Sequence, residues 1–330
     1  MSYAMSTTSG KPIKSLEASA VDYTQNLDST YLANLRTAYN YLVNKANYSY
    51  DIIPCILTTD VHSRFSESQL MGVYRWIADE VDWQSISKVI DLGDTSNDGF
   101  TVELQTVGKL ADILPLDKQV RVWGNHDFGN GSTFDQSYLR QYFKNPQATT
   151  LYGGGNGYFA MVDPYYNVKY VALNNMEHYG GVRDNMMTTQ QISWLIRELE
   201  KADGHDIILC SHWFLDCMNN TALEEVTLVE SNYTRTDEPF LSNATVYADF
   251  LQMVADRKNK ASGSFTDDFG VVHEYDFTGC NSELLISWAG HDHIDFYKHM
   301  ENSITQIEFD TYGKRVYAVY FCWLDRVNMK

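Results

Sequence analysis

The sequence predicts an α/β fold in which strands and helices form alternating layers. The first observation is a repeated order: a short apolar strand, a cluster of polar residues at its end, and then an amphipathic helix. This order is typical of parallel strands joined by helices that cover the sheet. The second observation is composition, since 44% of the 330 residues are hydrophobic and only 6 are proline. The chain therefore has enough apolar residues for a large core.

Three apolar runs in the first part of the chain predict buried strands. They cover residues 51–59, 88–92 and 119–123. Helical spacing of apolar residues predicts one helix capped by Asp28 or Ser29, and two more at about residues 66–82 and 102–114. Each strand ends in polar residues that can bind a metal or a proton, namely Asp60-Val61-His62, Gly93-Asp94 and Gly124-Asn125-His126-Asp127.

The second part of the chain repeats this pattern less regularly. Strands are predicted at residues 158–162, 168–173, 206–210, 284–288, 303–309 and 315–323. Helices are predicted from Thr188 or Thr189 and at residues 246–258, with a hairpin around Asp267-Asp268-Phe269-Gly270. Two strands again end in polar clusters, Ser211-His212 and Gly290-His291-Asp292-His293. The glycine-rich run at residues 152–158 lacks the Gly-Lys-Ser/Thr of a phosphate-binding loop, so we interpret it as a turn.

The chain shows no internal repeat and no Pro/Gly/Ser-rich linker, which favours one domain over two. Residues 1–27 are polar and weakly patterned, and they are predicted to form a loose N-terminal arm. Residues 28–330 are predicted to form the single domain. Within it, residues 215–283 separate two strands that end in histidines, so we expect an insertion or cap that selects the substrate.

The formal net charge of −18 argues against nucleic acid and acidic membrane surfaces as partners. No apolar leader lies in residues 1–20, and no run reaches the length of a membrane span, so a cytoplasmic location is expected. The five cysteines are dispersed and show no Cys-x-x-Cys spacing. We therefore interpret them as buried thiols in a reducing compartment.

Seven strand-end residues have side chains that can bind metal: Asp60, His62, Asp94, Asn125, His212, His291 and His293. A single one of them has ordinary alternatives, because an aspartate after a strand often caps a helix and a loop histidine is often solvated. Seven together match the number of nitrogen and oxygen donors that two divalent ions need, including a carboxylate that can bridge. The absence of thiolate favours Mn, Fe or Zn in a site of this kind.

The order and spacing of these clusters resemble the calcineurin-like metallophosphoesterase superfamily across roughly residues 50–325. The helix Gln190-Gln191-Ile192-Ser193-Trp194-Leu195 is also similar to the family's helix before its lone histidine. The resemblance implies a four-layer αββα sandwich, in which helices flank two mixed β-sheets and two metal ions lie at the strand ends. It also implies the ligands: Asp60, His62 and His293 for one ion, Asn125, His212 and His291 for the other, and Asp94 as the bridge.

Four further residues are candidates for roles other than metal binding. By the same resemblance, His126 would point at the leaving-group oxygen as a general acid or a charge stabiliser. Asp127 is interpreted as the partner that orients His126, or alternatively as a turn residue. Arg64 is a candidate contact for the substrate phosphate or an ordinary surface arginine. His178 is a candidate residue at the rim of the substrate site.

The function that follows from the resemblance is hydrolysis of phosphate esters, in which a metal-bridging hydroxide attacks phosphorus in line. We favour a small or exposed phosphodiester as the substrate, because His126 suits an alkoxide leaving group. A phosphomonoesterase or nucleotidase with the same mechanism is the alternative. A non-catalytic interaction module with the same fold is the alternative from another class, and the complete set of ligands argues against it. Asp127 and the Gly290-His291-x-His293 block disfavour a Ser/Thr protein phosphatase.

Overall fold

The structure is a computed structural model that describes residues 27–47, 51–62, 67–128, 136–143, 157–175, 187–201, 203–213, 215, 244–291, 296–299, 305–308 and 319–326. Its helices are α1 (Ser29–Ala46), α2 (Glu67–Glu80), α3 (Thr101–Ile113), α4 (Gln136–Phe143), α5 (Thr189–Glu200) and α6 (Ala244–Asn259). Its strands are β1 (Ile52–Thr58), β2 (Lys88–Asp91), β3 (Gln119–Arg121), β4 (Phe159–Asp163), β5 (Val168–Ala172), β6 (Asp206–Cys210), β7 (Ser262–Thr266), β8 (Val272–Asp276), β9 (Leu284–Ala289), β10 (Phe296–His299), β11 (Thr305–Glu308) and β12 (Tyr320–Asp325).

Two mixed sheets form the centre of the fold. The first has the order β12-β1-β2-β3, with β1, β2 and β3 parallel and β12 antiparallel to β1. The second has the order β10-β11-β9-β6-β5-β4, with antiparallel strands at both ends. In this second sheet β5, β6, β9 and β11 are parallel. The carboxyl ends of neighbouring parallel strands lie at one edge of a sheet, so the polar residues that follow them are brought together.

Three hydrophobic clusters show that the molecule has four layers. The side chains of strand β1 alternate between the two faces of the first sheet. Ile53, Cys55 and Leu57 pack between the sheets, whereas Ile56 packs against the helices. Helices α1 and α2 supply the outer cluster on the first sheet. Helices α5 and α6 supply the cluster on the outer side of the second sheet. The αββα sandwich with two mixed sheets is therefore confirmed.

Most predicted elements are present, with three differences. Helix α4 and strand β10 were not predicted from the sequence. The last strand begins at Tyr320 and extends to Asp325, because Asp325 pairs with Ile52 at the start of β1. Backbone pairing therefore continues the strand beyond its apolar run. Residues 1–26 of the predicted arm and most of the glycine-rich run at 152–158 lie outside the described residues, and Leu27 packs against the outer cluster on the first sheet.

The segment predicted as an insertion or cap is described in part. Residues 244–283 form helix α6 and the hairpin β7–β8, which pack against helix α5 and the second sheet. The buried Arg257 guanidinium fixes α6 there by donating to the Leu199 carbonyl (2.8 Å) and the Ser282 carbonyl (3.1 Å). Residues 216–243, the rest of the predicted cap, lie outside the described residues.

Two smaller findings concern the cysteines and membranes. Cys55, Cys210 and Cys280 are buried free thiols, and Cys322 is a partly buried one. Burial raises the pKa of Cys55 to about 12, so this thiol is unreactive at neutral pH. Among the described helices, none combines the length and the apolar character that a bilayer crossing needs.

Candidate metal centre

The described residues of the five polar clusters predicted at strand ends converge on one edge of the sandwich. Backbone hydrogen bonds join the loops directly, from Asp60 N to the Gly93 carbonyl and from His62 N to the Asp94 carbonyl, both at 2.9 Å. Gly290 N donates to the His212 carbonyl at 2.9 Å and joins the loops after β6 and β9. His291 N also donates to Asp60 Oδ2 at 2.9 Å, so the loops that follow both sheets meet at this edge.

Asp94 lies at the centre of the cluster. Its Oδ2 atom is 3.2 Å from His212 Nε2 and 3.7 Å from His62 Nε2. The described residues contain two groups of possible metal ligands, and within each group the donor atoms all lie within 4.8 Å of one another. The first contains His62, Asp94 and His126, and the second contains Asp94, His212 and His291. Asp94 belongs to both groups, which is the placement expected of a carboxylate that bridges two ions.

The surroundings of Asp94 Oδ2 test whether these residues suit a metal. This oxygen is buried, and the described residues give it no well-aligned hydrogen bond. A buried carboxylate oxygen is costly unless it is paired or binds a cation. The nearby donors are imidazole nitrogens and carboxylate oxygens without thiolate, a set that suits Mn, Fe or Zn. The described residues therefore fit a divalent transition metal.

The orientation of His212 leaves one ring nitrogen directed at the centre. A carbonyl oxygen can only accept, so His212 Nδ1 carries the hydrogen that it donates to the Leu92 carbonyl at 2.8 Å. Nε2 then lies 3.0 Å from Asn125 Oδ1, next to Asp94. A histidine that ligates metal through one nitrogen is commonly held by such a bond from the other.

The electrostatics of the centre favour a positive charge beside Asp94. Burial by itself would lower the pKa of His212, but the adjacent Asp94 carboxylate raises it to about 10. Burial likewise opposes ionisation of Asp94, and His212 and His62 nevertheless hold the pKa of Asp94 below its usual value. The Asp94 carboxylate therefore favours a positive charge beside it. A bound cation would supply that charge with His212 neutral, because a histidine ligand must be neutral.

Asp60 and His291 form the other side of the centre. Both oxygens of the buried Asp60 carboxylate accept from His291 N, at 3.1 and 2.9 Å. The His291 ring stacks on Trp213, with centroids 5.0 Å apart. Gly290 is required where these loops touch, since a Cβ atom there would lie 1.9 Å from Thr59 Oγ1.

The structure corrects the prediction that Asp127 orients His126. His126 Nδ1 lies 2.5 Å from the Asn97 carbonyl, and the His126 ring meets the His62 ring edge to face at 4.5 Å. Asp127 is fully buried and turned toward backbone N–H groups instead. Burial, and after it the charge of Asp94, raises the pKa of Asp127 to about 7.

The remaining predicted residues divide into described and undescribed ones. Asp60, His62, Asp94, Asn125, His126, Asp127, His212 and His291 are all at this centre. Arg64, His178 and His293 lie outside the described residues. Sequence reasoning missed Trp213, although an aromatic residue directly after His212 was a visible signal. It also missed the Leu92 and Asn97 carbonyls, because a backbone contact leaves no signature in residue type.

Carboxylate and imidazole groups around one shared aspartate, at the edge of a sandwich of two mixed sheets, are the ligand arrangement of a dinuclear metal site. The family model described as calcineurin-like phosphoesterase matches residues 53–252, more than half of the chain. The chain therefore belongs to the calcineurin-like phosphoesterase family. Membership implies two divalent metal ions.

The similarity of the chain to individual proteins is low. No curated protein matches the chain. Among solved structures, the chain is similar to a dimetal phosphatase from Danio rerio, with 16% identity, a TM-score of 0.47, and coverage of 78% of this chain and 87% of that one. It is also similar to a phosphopantetheinyl hydrolase from Mycobacterium tuberculosis, with 11% identity, a TM-score of 0.40, and coverage of 83% of this chain and 97% of that one.

Proposed function

We propose that this protein is a dinuclear-metal-dependent hydrolase that prefers a small or exposed phosphodiester. The observation that carries the proposal is the position of Asp94, whose buried Oδ2 atom lies between His62 and His212 and belongs to both ligand groups. His62 and Asp60 would hold one ion, and Asn125, His212 and His291 the other. When bound, two divalent ions supply a hydroxide nucleophile at neutral pH and neutralise charge on the phosphate oxygens.

The protein's own groups would orient the substrate and move one proton. His126 is held through Nδ1 by the Asn97 carbonyl, so its Nε2 atom is the nitrogen that can serve a substrate. In this arrangement His126 would donate a proton to the departing alkoxide as a general acid. Its edge-to-face contact with His62 keeps the ring beside the metal ligands. An alkyl ester needs this proton most, because its leaving group is an alkoxide of high pKa.

The experiment compares paired chromogenic monoesters and diesters, each assayed with Mn²⁺, Fe²⁺ and Zn²⁺ added to chelator-treated protein. The proposal predicts hydrolysis that requires metal and a higher kcat/KM for the diester. A higher kcat/KM for the monoester would assign the protein to the alternative, a phosphomonoesterase or nucleotidase of the same mechanism. Absence of hydrolysis of either ester with fully bound metal would favour the non-catalytic interaction module.

A further inference from the structure

The buried carboxylate of Asp127 receives four hydrogen bonds from two loops. Oδ2 accepts from Asp94 N at 3.0 Å and from Gly124 N at 2.9 Å. Oδ1 accepts from Ser96 N at 2.9 Å and from Ser96 Oγ at 3.0 Å. The side chain is fully shielded from solvent, so it has no surface to offer a substrate. A carboxylate that accepts several backbone N–H groups fixes the loops that supply them.

The loops that Asp127 joins are those that carry Asp94 and Asn125. Asp94 stands on left-handed backbone, with φ of 54°, a conformation that non-glycine residues seldom adopt. The contact is reciprocal, because Asp94 Oδ1 accepts from His126 N at 2.8 Å. This bond occupies one oxygen of Asp94 and directs the other, Oδ2, toward His62 and His212. The loops are in close contact, since a Cβ atom at Gly124 would lie 2.1 Å from Asp94 Oδ1.

We propose that Asp127 is a positioning residue, which holds Asp94 in the backbone conformation that presents Oδ2 to both metal ions. This proposal rests on the proposed function, since it concerns the metal centre. Asp127 touches neither the candidate ligand atoms nor His126's ring in the described residues; it acts through the backbone of Asp94, Ser96 and Gly124. Its contribution to activity is thus made through metal affinity and not through proton transfer.

The chemistry of the four donors explains why the residue must be an acid. Each oxygen of Asp127 faces two donors, and three of the four are backbone N–H groups that cannot accept. In an Asp127→Asn variant, the amide NH₂ must replace one oxygen and face at least one backbone N–H. At least one backbone N–H group then loses its acceptor, whichever way the amide is turned. The shape of the side chain is preserved, so the variant tests hydrogen bonding and not volume.

The test measures Mn²⁺ binding to chelator-treated full-length protein by calorimetry, for the wild type and for Asp127→Asn. Loss of a residue that holds a metal ligand in place typically weakens metal affinity by about 10–100-fold, and we expect a loss in this range. The matched control is Asp267→Asn, which alters another buried aspartate that accepts four hydrogen bonds, in the hairpin β7–β8. The control should destabilise the protein while leaving Mn²⁺ affinity unchanged.

A kinetic readout separates positioning from catalysis. At saturating Mn²⁺ the Asp127→Asn variant should recover kcat, since its substrate-binding and proton-transfer groups are intact. Unaltered Mn²⁺ affinity with a persistent loss of kcat would overturn the proposal and make Asp127 a catalytic residue. Unaltered affinity and unaltered kcat would overturn it as well. If the wild type itself binds no Mn²⁺, the proposed function fails. If the wild type binds Mn²⁺ and the variant binds it equally well, only the positioning role of Asp127 fails.

A second variant covers the case in which Asp127→Asn does not fold. Ser96→Ala removes one of the four donors and leaves the carboxylate in place. We expect a smaller loss of Mn²⁺ affinity in the same direction, with recovery of kcat at saturating metal. An affinity equal to that of the wild type in this folded variant would then count against the proposal.

Discussion

Four side chains at the metal centre stand on backbone with positive φ, which L-amino acids rarely adopt. They are Asp60 (50°), His62 (49°), Asp94 (54°) and His291 (84°). Such conformations cost on the order of 1–3 kcal/mol each and persist only where surrounding contacts hold them. Here backbone bonds between the loops and the side-chain contacts of Asp60 and Asp127 provide that support. Unfavourable backbone conformations that cluster around one carboxylate are typical of a binding site, where geometry is maintained at a cost in stability.

Asp94 and His126 should differ in their effect on metal content. Asp94 belongs to both ligand groups, whereas His126 belongs only to the first and is assigned to proton transfer in the proposed function. We expect Asp94→Asn to lower the bound metal to less than one equivalent per chain and His126→Ala to leave it near the wild-type value. Elemental analysis of both variants after identical reconstitution checks this. Loss of metal from His126→Ala would show that His126 is itself a ligand.

The general-acid role of His126 predicts a dependence on the leaving group. His126→Ala should slow an alkyl phosphodiester by roughly 10²–10⁴-fold, the range typical of one acid–base residue, and slow a p-nitrophenyl ester much less. The measurement is a plot of log rate against leaving-group pKa at matched metal content. A steeper slope in the variant supports proton donation. Parallel lines would mean that His126 stabilises the phosphoryl oxygens or positions the substrate.

Gly290 should tolerate no side chain, because the loops after β1 and β9 are in contact there. A Cβ atom would lie 1.9 Å from Thr59 Oγ1 and 2.5 Å from Asp60 Oδ2. We expect Gly290→Ala to cost about 1–3 kcal/mol of unfolding free energy, as overpacking does, and to reduce metal binding. Gly279→Ala is the control, since nothing lies within 4 Å of a Cβ there. Equal urea midpoints for the two variants would contradict the tight contact.

At the scale of elements, the hairpin β7–β8 is fastened to helix α5 by one buried aspartate. Asp267 accepts from Thr189 Oγ1 (2.5 Å) at the start of α5 and contacts His273 Nε2 (3.0 Å) on the facing strand. It also accepts from Phe269 N and Val271 N, both at 2.9 Å, and so shapes the turn. Burial opposes its ionisation, and these hydrogen bonds nevertheless hold the pKa of Asp267 below its usual value.

The lowered pKa of Asp267 gives its contribution to stability a defined pH dependence. A carboxyl group whose pKa is lower in the folded state stabilises the fold above its unfolded pKa, and this stabilisation is lost as the pH falls through the folded pKa. Asp267→Asn should therefore cost about 1–3 kcal/mol at pH 7, as loss of buried hydrogen bonds does, and less under acidic conditions. Urea unfolding at pH 7 and near pH 3 tests this. Glu274→Gln, an exposed acid on β8, is the control, and a constant difference between pH values would contradict the assignment.

The elements that the sequence predicted well are those with strong internal patterns. Strand β1 is one continuous buried run and helix α5 has apolar residues at helical spacing, and both lie where predicted. Helix α4 has eight residues, too few for periodicity to separate it from a loop. Strand β10 follows the His291 loop after only a few residues and depends on pairing with β11. The pairing of β10 with β11 is a tertiary contact, and the local sequence pattern does not predict it.

At the scale of the whole molecule, topology accounts for the convergence of the ligands. Asp60 and His291, which are far apart in sequence, meet because strands of both sheets end at the same edge. The sequence predicted this part of the site, since the polar residues at the strand ends are visible in it. The partners of Asp127 and His126 could not be read in this way. Ser96 and Asn97 approach them across a gap of about thirty positions, through backbone atoms that are the same in every residue.

The net charge of −18 bears on the same centre. A strongly acidic chain repels a phosphate ester at long range, and this repulsion weakens as salt screens the charges. Two divalent ions at the shared aspartate would reverse the local sign where the substrate binds. In the proposed function, metal would therefore serve both the chemistry and the attraction of an anionic substrate.

The number of metal ions bound per chain is the decisive measurement for the dinuclear centre. Protein purified without chelator, or reconstituted with Mn²⁺, Fe²⁺ and Zn²⁺ and then desalted, is subjected to elemental analysis alongside Asp94→Asn. The account predicts close to two equivalents of transition metal per chain in the wild type and a clear loss in the variant, because Asp94 lies within reach of both ligand groups. A wild-type value near zero after reconstitution would contradict the dinuclear centre and the proposed function that depends on it.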